Sequence, residues 1–150
     1  MSDTLVHVSL AQKQDYQFAV DFGGNVPLLT ADEPAPLGSG LGPSPVQLLA
    51  AAVGNCLADS LLFALRKFKQ TPDPLRCDVD AQVGRNSEGL LRVLQIRAAL
   101  TLGVPAAEIE HLDRVLEQFE KFCTVTQSVG LGIQVIVEVF DSNALRLKPR

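Results

Sequence analysis

The side chains with the most chemistry available are three cysteines, Cys56, Cys77 and Cys123. A thiolate is a nucleophile and a metal ligand, and two thiols that meet form a redox pair. Metal chemistry finds no support in the spacing. His7 and His111 are the only histidines, and no two Cys or His residues sit at ligand distance along the chain. No metal and no cofactor is therefore expected. A Ser-His-Asp site would need one of those histidines, and neither is accompanied by a nucleophile-elbow sequence. Gly38-Ser39-Gly40-Leu41-Gly42 precedes a helix but lacks the P-loop lysine. It reads as a loop that needs positive φ angles.

The three thiols have different surroundings. Cys77 alternates in phase with Val79 and Ala81, which predicts a thiol packed in a core. Cys56 lies in mid-helix among Ala50, Ala51, Ala52, Gly54 and Ala58. These small residues let another backbone approach closely. Asp59 falls one turn on, about 60° around the helix from Cys56, and a carboxylate there opposes thiolate formation. Cys123 ends one helix and precedes Thr124-Val125-Thr126-Gln127, a capping-box pattern. Free backbone N–H groups at such a position favour a thiolate, so Cys123 is expected to be the more acidic thiol. Residue types alone leave open whether Cys56 and Cys123 meet. If they do, one sulfur attacks an oxidant and the other resolves the sulfenic acid as a disulfide.

The elements that must position these thiols follow from periodicity. Leu5–Leu10 and Tyr16–Phe22 alternate as strands, Gly23-Gly24 marks a tight hairpin, and Val26–Thr30 returns as a third strand. Asp32–Pro43 is a long Pro- and Gly-rich loop. It delivers Ser44-Pro45-Val46-Gln47, with Ser at the N-cap, Pro at the first helical position and Gln closing a capping box. The helix is expected to reach about Lys69, before Thr71-Pro72-Asp73-Pro74. Cys77–Val83 and Leu94–Leu102 alternate around an Asn86–Gly89 turn. Pro105 opens a second helix with an Ile109, Leu112, Leu116, Phe119 stripe. A short helix follows Cys123, and Ile133–Phe140 is the last strand. The order βββ-α-ββ-α-α-β is α+β, and residues 1–150 read as a single domain.

Composition limits the partners. A formal net charge of −4 and 5% aromatic residues with no Trp argue against nucleic acid. The first twelve residues lack a signal-peptide pattern, and an odd, small number of cysteines is no disulfide scaffold, so a cytoplasmic location is expected. Hydrophobic residues make up 47% of the chain. The excess is concentrated in Pro45–Leu65, where the only polar residues are Gln47, Asn55, Asp59 and Ser60. Such a stretch has the length of a membrane span, and Arg66, Lys67 and Lys69 follow it. A mid-segment Asp is costly in a bilayer, so the stretch reads as the central helix of a globular protein, with no membrane partner.

Two segments together resemble the OsmC/Ohr family of osmotically induced and organic hydroperoxide resistance proteins. They are GPSPVQLLAAAVGNC (Gly42–Cys56) and FEKFCTVTQSV (Phe119–Val129). The resemblance extends over about residues 4–140. It implies the OsmC-like fold, with antiparallel sheets wrapped around a long central helix in an intertwined homodimer. It also implies a thiol-dependent peroxidase acting on organic hydroperoxides, with Cys56 peroxidatic, Cys123 resolving and an external dithiol as reductant. Leu49, Val53, Asp59 and Phe122 are the expected pocket or thiolate environment. Two departures stand out. Active branches of the family carry Glu directly after the helix-start Pro, where this chain has Val46, and they hold the thiolate with an N-terminal Arg. Lys13 is the only basic residue before Arg66. A cation from the hairpin, Arg85, Arg92 or Arg97, is the remaining candidate. The alternative expectation is an inactive OsmC-like dimer that binds an apolar small molecule or senses redox state. A hot-dog-like acyl-thioester enzyme using Asp59 is a third reading. In the family reading the apolar excess of the central helix marks a dimer interface.

Overall fold

A computed structural model describes residues 3–149. The chain forms two compact units that divide between Leu48 and Leu49. In the first unit, β1 (Ser9–Gln14), β2 (Gln17–Asp21) and β3 (Leu29–Ala31) form an antiparallel sheet in the order β1-β2-β3. The first strand begins later than its alternation predicts. Leu5 and Val6 lie outside any strand and are almost fully exposed. Tyr16 belongs to the β1–β2 turn, because Asp15 adopts a positive φ of 51° and closes the hairpin there. Gly23 and Gly24 take positive φ as expected, yet the link runs on from Phe22 to Leu28, so β3 starts only at Leu29.

The glycine-rich loop is organised by Asp32, which is 2% exposed. Its carboxylate accepts from the backbone N–H groups of Glu33, Ser39 and Leu41 at 2.8, 3.2 and 3.1 Å. Those bonds, Leu41 foremost, hold its pKa below the ordinary carboxylate value. Three of the loop's donors are thus taken by the chain's own anion, while the Gly38 and Gly40 N–H groups donate to the Pro34 and Glu33 carbonyls. Gly42 is required for close approach, since a Cβ there would lie 1.8 Å from the Thr30 carbonyl oxygen.

Helix α1 (Pro45–Lys67) starts with the expected capping box. Ser44 N–H donates to Gln47 Oε1 at 3.0 Å, and Gln47 N–H donates to Ser44 Oγ at 3.3 Å. The helix is long and apolar enough to cross a membrane by length and composition. Within the second unit its Val53, Leu57, Leu61 and Leu65 stripe is fully buried. That stripe shares one core with Ile96, Ala98, Leu100, Val137 and Val139. Its other face, with Ala51, Ala52, Asn55, Asp59 and Phe63, is exposed.

The core sheet has the order β4-β5-β6-β7, with β4 (Arg76–Arg85), β5 (Leu91–Thr101), β6 (Gln134–Phe140) and β7 (Arg146–Lys148). It is mixed rather than antiparallel throughout. β4 and β5 form the expected hairpin, whereas β6 lies parallel to β5. The helical segment between them carries the chain back to the starting end, as a parallel pair requires. β7 had no counterpart in the sequence pattern. Leu94 leaves the buried face of β5 because the register steps from Gln82–Gln95 to Val83–Val93, so Leu94 is the extra residue of a bulge. The second helix is not continuous from Pro105. A 3₁₀ turn, Ala106–Glu108, is followed by α2 (Leu112–Gln118) and a further 3₁₀ turn, Phe119–Phe122. His111 breaks the helix at φ 60°, and its ring stacks on Phe68 with centroids 4.7 Å apart. The apolar stripe survives the break, with Ile109, Leu116 and Phe119 buried. Finally, α3 (Thr124–Val129) follows Cys123.

Candidate functional site

α1 and the turn before α3 bring two of the three cysteines together. Cys56 is half-buried beside the α1 stripe and packs on the core. Cys123 is the N-cap of α3 and is fully buried. It is fixed on both sides, since its N–H donates to Glu120 O at 3.1 Å and its carbonyl accepts from Gln127 N–H at 2.9 Å. The expected capping box at Thr124 does not form. Gln127 Nε2 donates instead to the Glu120 carbonyl at 3.0 Å, because the preceding 3₁₀ turn moves the N-cap from Thr124 to Cys123.

The Cys123 thiol interacts with Cys56, and its pKa is raised. Burial is the largest cause, and the hydrogen bond to Cys56 adds to it. The hydroxyl and backbone N–H of Thr126 act in the opposite direction and are outweighed. The expectation that the helix start would make Cys123 an acidic thiol is thus not met. Full burial costs its charged form more than nearby donors return. Cys77 is a packed thiol, pushed up to about 11 by burial and then by the Asp78 charge.

Of the other expected site residues, two lie at one opening. An open cleft of about 580 Å³ is lined by Asp59 and Phe122 together with Phe63, Lys67, Phe68 and Arg114. It begins one helical turn from Cys56. Asp59 is exposed and accepts from Asn55 Nδ2 at 3.2 Å. Val53 does not line a pocket: it is fully buried in the core. Leu49 is half-buried and packs on that core, away from the cleft lining.

None of the hairpin arginines serves the thiols. Arg85 donates to the Gly89 carbonyl, Arg92 to the Leu91 carbonyl, and Arg97 pairs with Glu138 at 3.1 Å. The cleft carries cations that sequence reasoning missed. Lys67 Nζ lies 5.3 Å from the Phe63 ring centroid, and the Arg114 guanidinium 5.9 Å from that of Phe68. A signal was present in Arg114, Gln118 and Phe122, which repeat every four residues on the face away from the apolar stripe. Among the described residues, no group of three or more His, Cys, Asp or Glu gathers as a metal site.

Residues 38–138 match the family model for OsmC-like protein. No curated protein matches the chain in sequence. Several solved structures share its fold. A putative osmotic stress induced and detoxification response protein from Psychrobacter arcticus is 16% identical, with a TM-score of 0.77 over 93% of this chain and 98% of that one. An OsmC-like protein of Vibrio cholerae is 15% identical, with a TM-score of 0.77 over 92% of this chain and 100% of that one. The organic hydroperoxide resistance protein OhrB of Bacillus subtilis is 16% identical, with a TM-score of 0.69 over 91% and 98%. At these identities the likeness speaks for the fold, and the family model speaks for descent: the chain belongs to the OsmC-like protein family.

Proposed function

We propose that the chain is a thiol-dependent peroxidase that reduces organic hydroperoxides, working as a homodimer in a reducing cytoplasm. The observation that carries this reading is the facing pair of thiols, Cys56 half-buried and Cys123 fully buried. The Cys56 thiolate attacks the distal oxygen of the hydroperoxide. The O–O bond breaks, an alcohol leaves, and Cys56 becomes a sulfenic acid. Cys123 then attacks the Cys56 sulfur. Its proton joins the departing hydroxide as water, and a Cys56–Cys123 disulfide remains. An external dithiol restores both thiols by exchange. The aromatic cleft that begins at Asp59, one helical turn past Cys56, suits the organic part of the peroxide better than it suits hydrogen peroxide. The homodimer is supported by the open face of α1, where Phe63 is 64% exposed. Exposed apolar surface such as that of Ala51, Ala52 and Phe63 on one helix face is normally covered by another surface.

The test is consumption of cumene hydroperoxide with dithiothreitol. Wild-type turnover should be abolished by Cys56→Ser, and Cys123→Ser should leave a sulfenic acid that dimedone traps. Wild-type turnover no faster than that of Cys56→Ser would sink the reading. One observation favours a second reading, a dimer that binds an apolar small molecule without turnover. Lys67 and Arg114 lie at the cleft, and no cation is among the groups named as acting on the Cys123 thiol. Ligand-induced thermal stabilisation of both wild type and Cys56→Ser, with no peroxide consumption, would be its signature.

A further inference from the structure

Thr126 is 5% exposed, and its hydroxyl oxygen has no hydrogen-bond partner among the described residues. That is unusual on two counts. A buried hydroxyl without a partner costs free energy. A helical Ser or Thr also has a ready acceptor in the carbonyl four residues back. Ser128 in the same helix takes that bond, donating to Thr124 O at 2.8 Å. Thr126 does not, and its place explains what it faces instead. Cys123 is the N-cap of α3 and Thr126 is the third residue of the helix, positions at which the side chain of each lies near the backbone of the other.

We propose that Thr126 is a positioning residue for disulfide formation, holding its hydroxyl in reserve for the Cys123 thiolate. The proposal deepens the peroxidase reading and rests on it for its catalytic meaning. In the resting protein Cys123 keeps its proton and faces Cys56, so the Thr126 hydroxyl has no anion to serve. After Cys56 is oxidised, Cys123 must lose that proton to become the attacking nucleophile. A fully buried sulfur anion is strongly disfavoured unless a donor meets it. The Thr126 O–H is such a donor, one helical turn from the sulfur and among the groups that favour its charged form. As the Cys123–Cys56 bond forms, the charge leaves Cys123, the sulfenic oxygen departs with the proton as water, and the hydroxyl returns to its idle state. The backbone N–H of Thr126 faces the same sulfur but persists in any variant, so the side chain can be tested alone.

The test separates this role from folding and from the peroxidase reading. In a protein carrying Cys56→Ala and Cys77→Ala, Cys123 is the only thiol, and its ionisation is followed by ultraviolet thiolate absorbance against pH. Thr126→Val, which keeps the shape, should raise the midpoint by about one pH unit, the tenfold change expected for one hydrogen bond to a charged group. Thr126→Ser should keep the wild-type midpoint, and Thr126→Ala should repeat the Val result should that variant fold poorly. In the parent protein, disulfide formation after a hydroperoxide pulse should slow about tenfold in Thr126→Val at neutral pH and recover as pH rises. Equal midpoints for Thr, Val and Ala would overturn the proposal, as would a Ser variant that behaves like Val. If the wild type forms no disulfide with hydroperoxide while the midpoint still shifts, the peroxidase reading fails and the Thr126–Cys123 interaction stands.

Discussion

Gly54 of α1 lies so close to Val79 of β4 that a Cβ on the glycine would come within 2.5 Å of Val79 Cγ2 and 3.3 Å of Cys77 Sγ. The helix therefore seats on the sheet at a point only glycine can occupy, two residues before Cys56. Gly54→Ala gains helix propensity but must push the helix off the sheet. Overpacking of this kind costs about 1–3 kcal/mol, more than the roughly 1 kcal/mol that Ala gains over Gly in a helix. Urea denaturation should show a net loss of stability. Because the displaced turn carries Cys56, the rate of Cys56–Cys123 disulfide formation under an oxidant should fall as well. A variant as stable and as readily oxidised as wild type would place the helix farther from the sheet.

The coupling of the two thiols has its own signature. Cys56 is the second cause that holds the Cys123 proton in place, after burial. Cys56→Ala removes that hydrogen bond and its charge while leaving the burial. The Cys123 thiol should then ionise at lower pH than in the parent protein, though still above an ordinary thiol. Thiolate absorbance in a Cys77→Ala background reads this directly. An unchanged midpoint would mean that the sulfurs do not interact.

Cys77 predicts an alkaline weakness. Its folded-state pKa of about 11 stands above the ordinary thiol value of 9.0. Between those values the folded chain keeps a proton that the unfolded chain has released. The stability due to Cys77 is complete below the lower value and is lost as pH rises through the window. Wild type should lose thermal stability over that range more steeply than Cys77→Ala. Parallel curves would show that the thiol is not buried in solution.

Two carboxylates set the acid limb in the opposite sense. Asp32 organises the glycine-rich loop, and Asp141 accepts from the N–H groups of Ala106, Asn143 and Leu145 at 2.9 Å each. Both have lowered pKa values, the first for its bond from Leu41 and the second for its bond from Ala106. Their contribution is complete above the unfolded carboxylate value and lost as pH falls through the depressed folded one. Asp141→Asn should destabilise at neutral pH and flatten the acid limb of a stability–pH curve. An acid limb unchanged in both Asp141→Asn and Asp32→Asn would assign acid unfolding to other groups.

Most of the architecture was legible because periodicity and caps are local signals. Ser44 and Gln47 announce a helix start that forms bond for bond, and the alternation around Asn86–Gly89 forms the hairpin it predicts. The same kind of signal failed at Thr124, since a capping pattern cannot register that the preceding 3₁₀ turn has already given the N-cap to Cys123. Leu5–Val8 stayed outside the first strand for a related reason, because alternation marks a face but supplies no partner strand. At the site, the pairing of Cys56 with Cys123 entered through family resemblance. The acidity of Cys123 was misjudged because burial, which dominates it, is a property of the packed core. Thr126 was visible only as an unspecified position inside the Thr124–Gln127 pattern.

Val53 and Phe122 were both expected to touch the organic part of the substrate, and they now stand apart. Val53 is fully buried in the core, while Phe122 is 72% exposed at the cleft. Val53→Ala should therefore act on the fold, costing about 1–3 kcal/mol through the space it leaves. Phe122→Ala should leave stability within about 0.5 kcal/mol, as exposed substitutions do. Its effect should fall on the substrate instead, with KM for cumene hydroperoxide rising roughly tenfold, the scale of one lost apolar contact. The reverse pattern, a stable Val53→Ala with weakened substrate binding and an unaffected Phe122→Ala, would move the substrate out of this cleft and toward the buried face of α1.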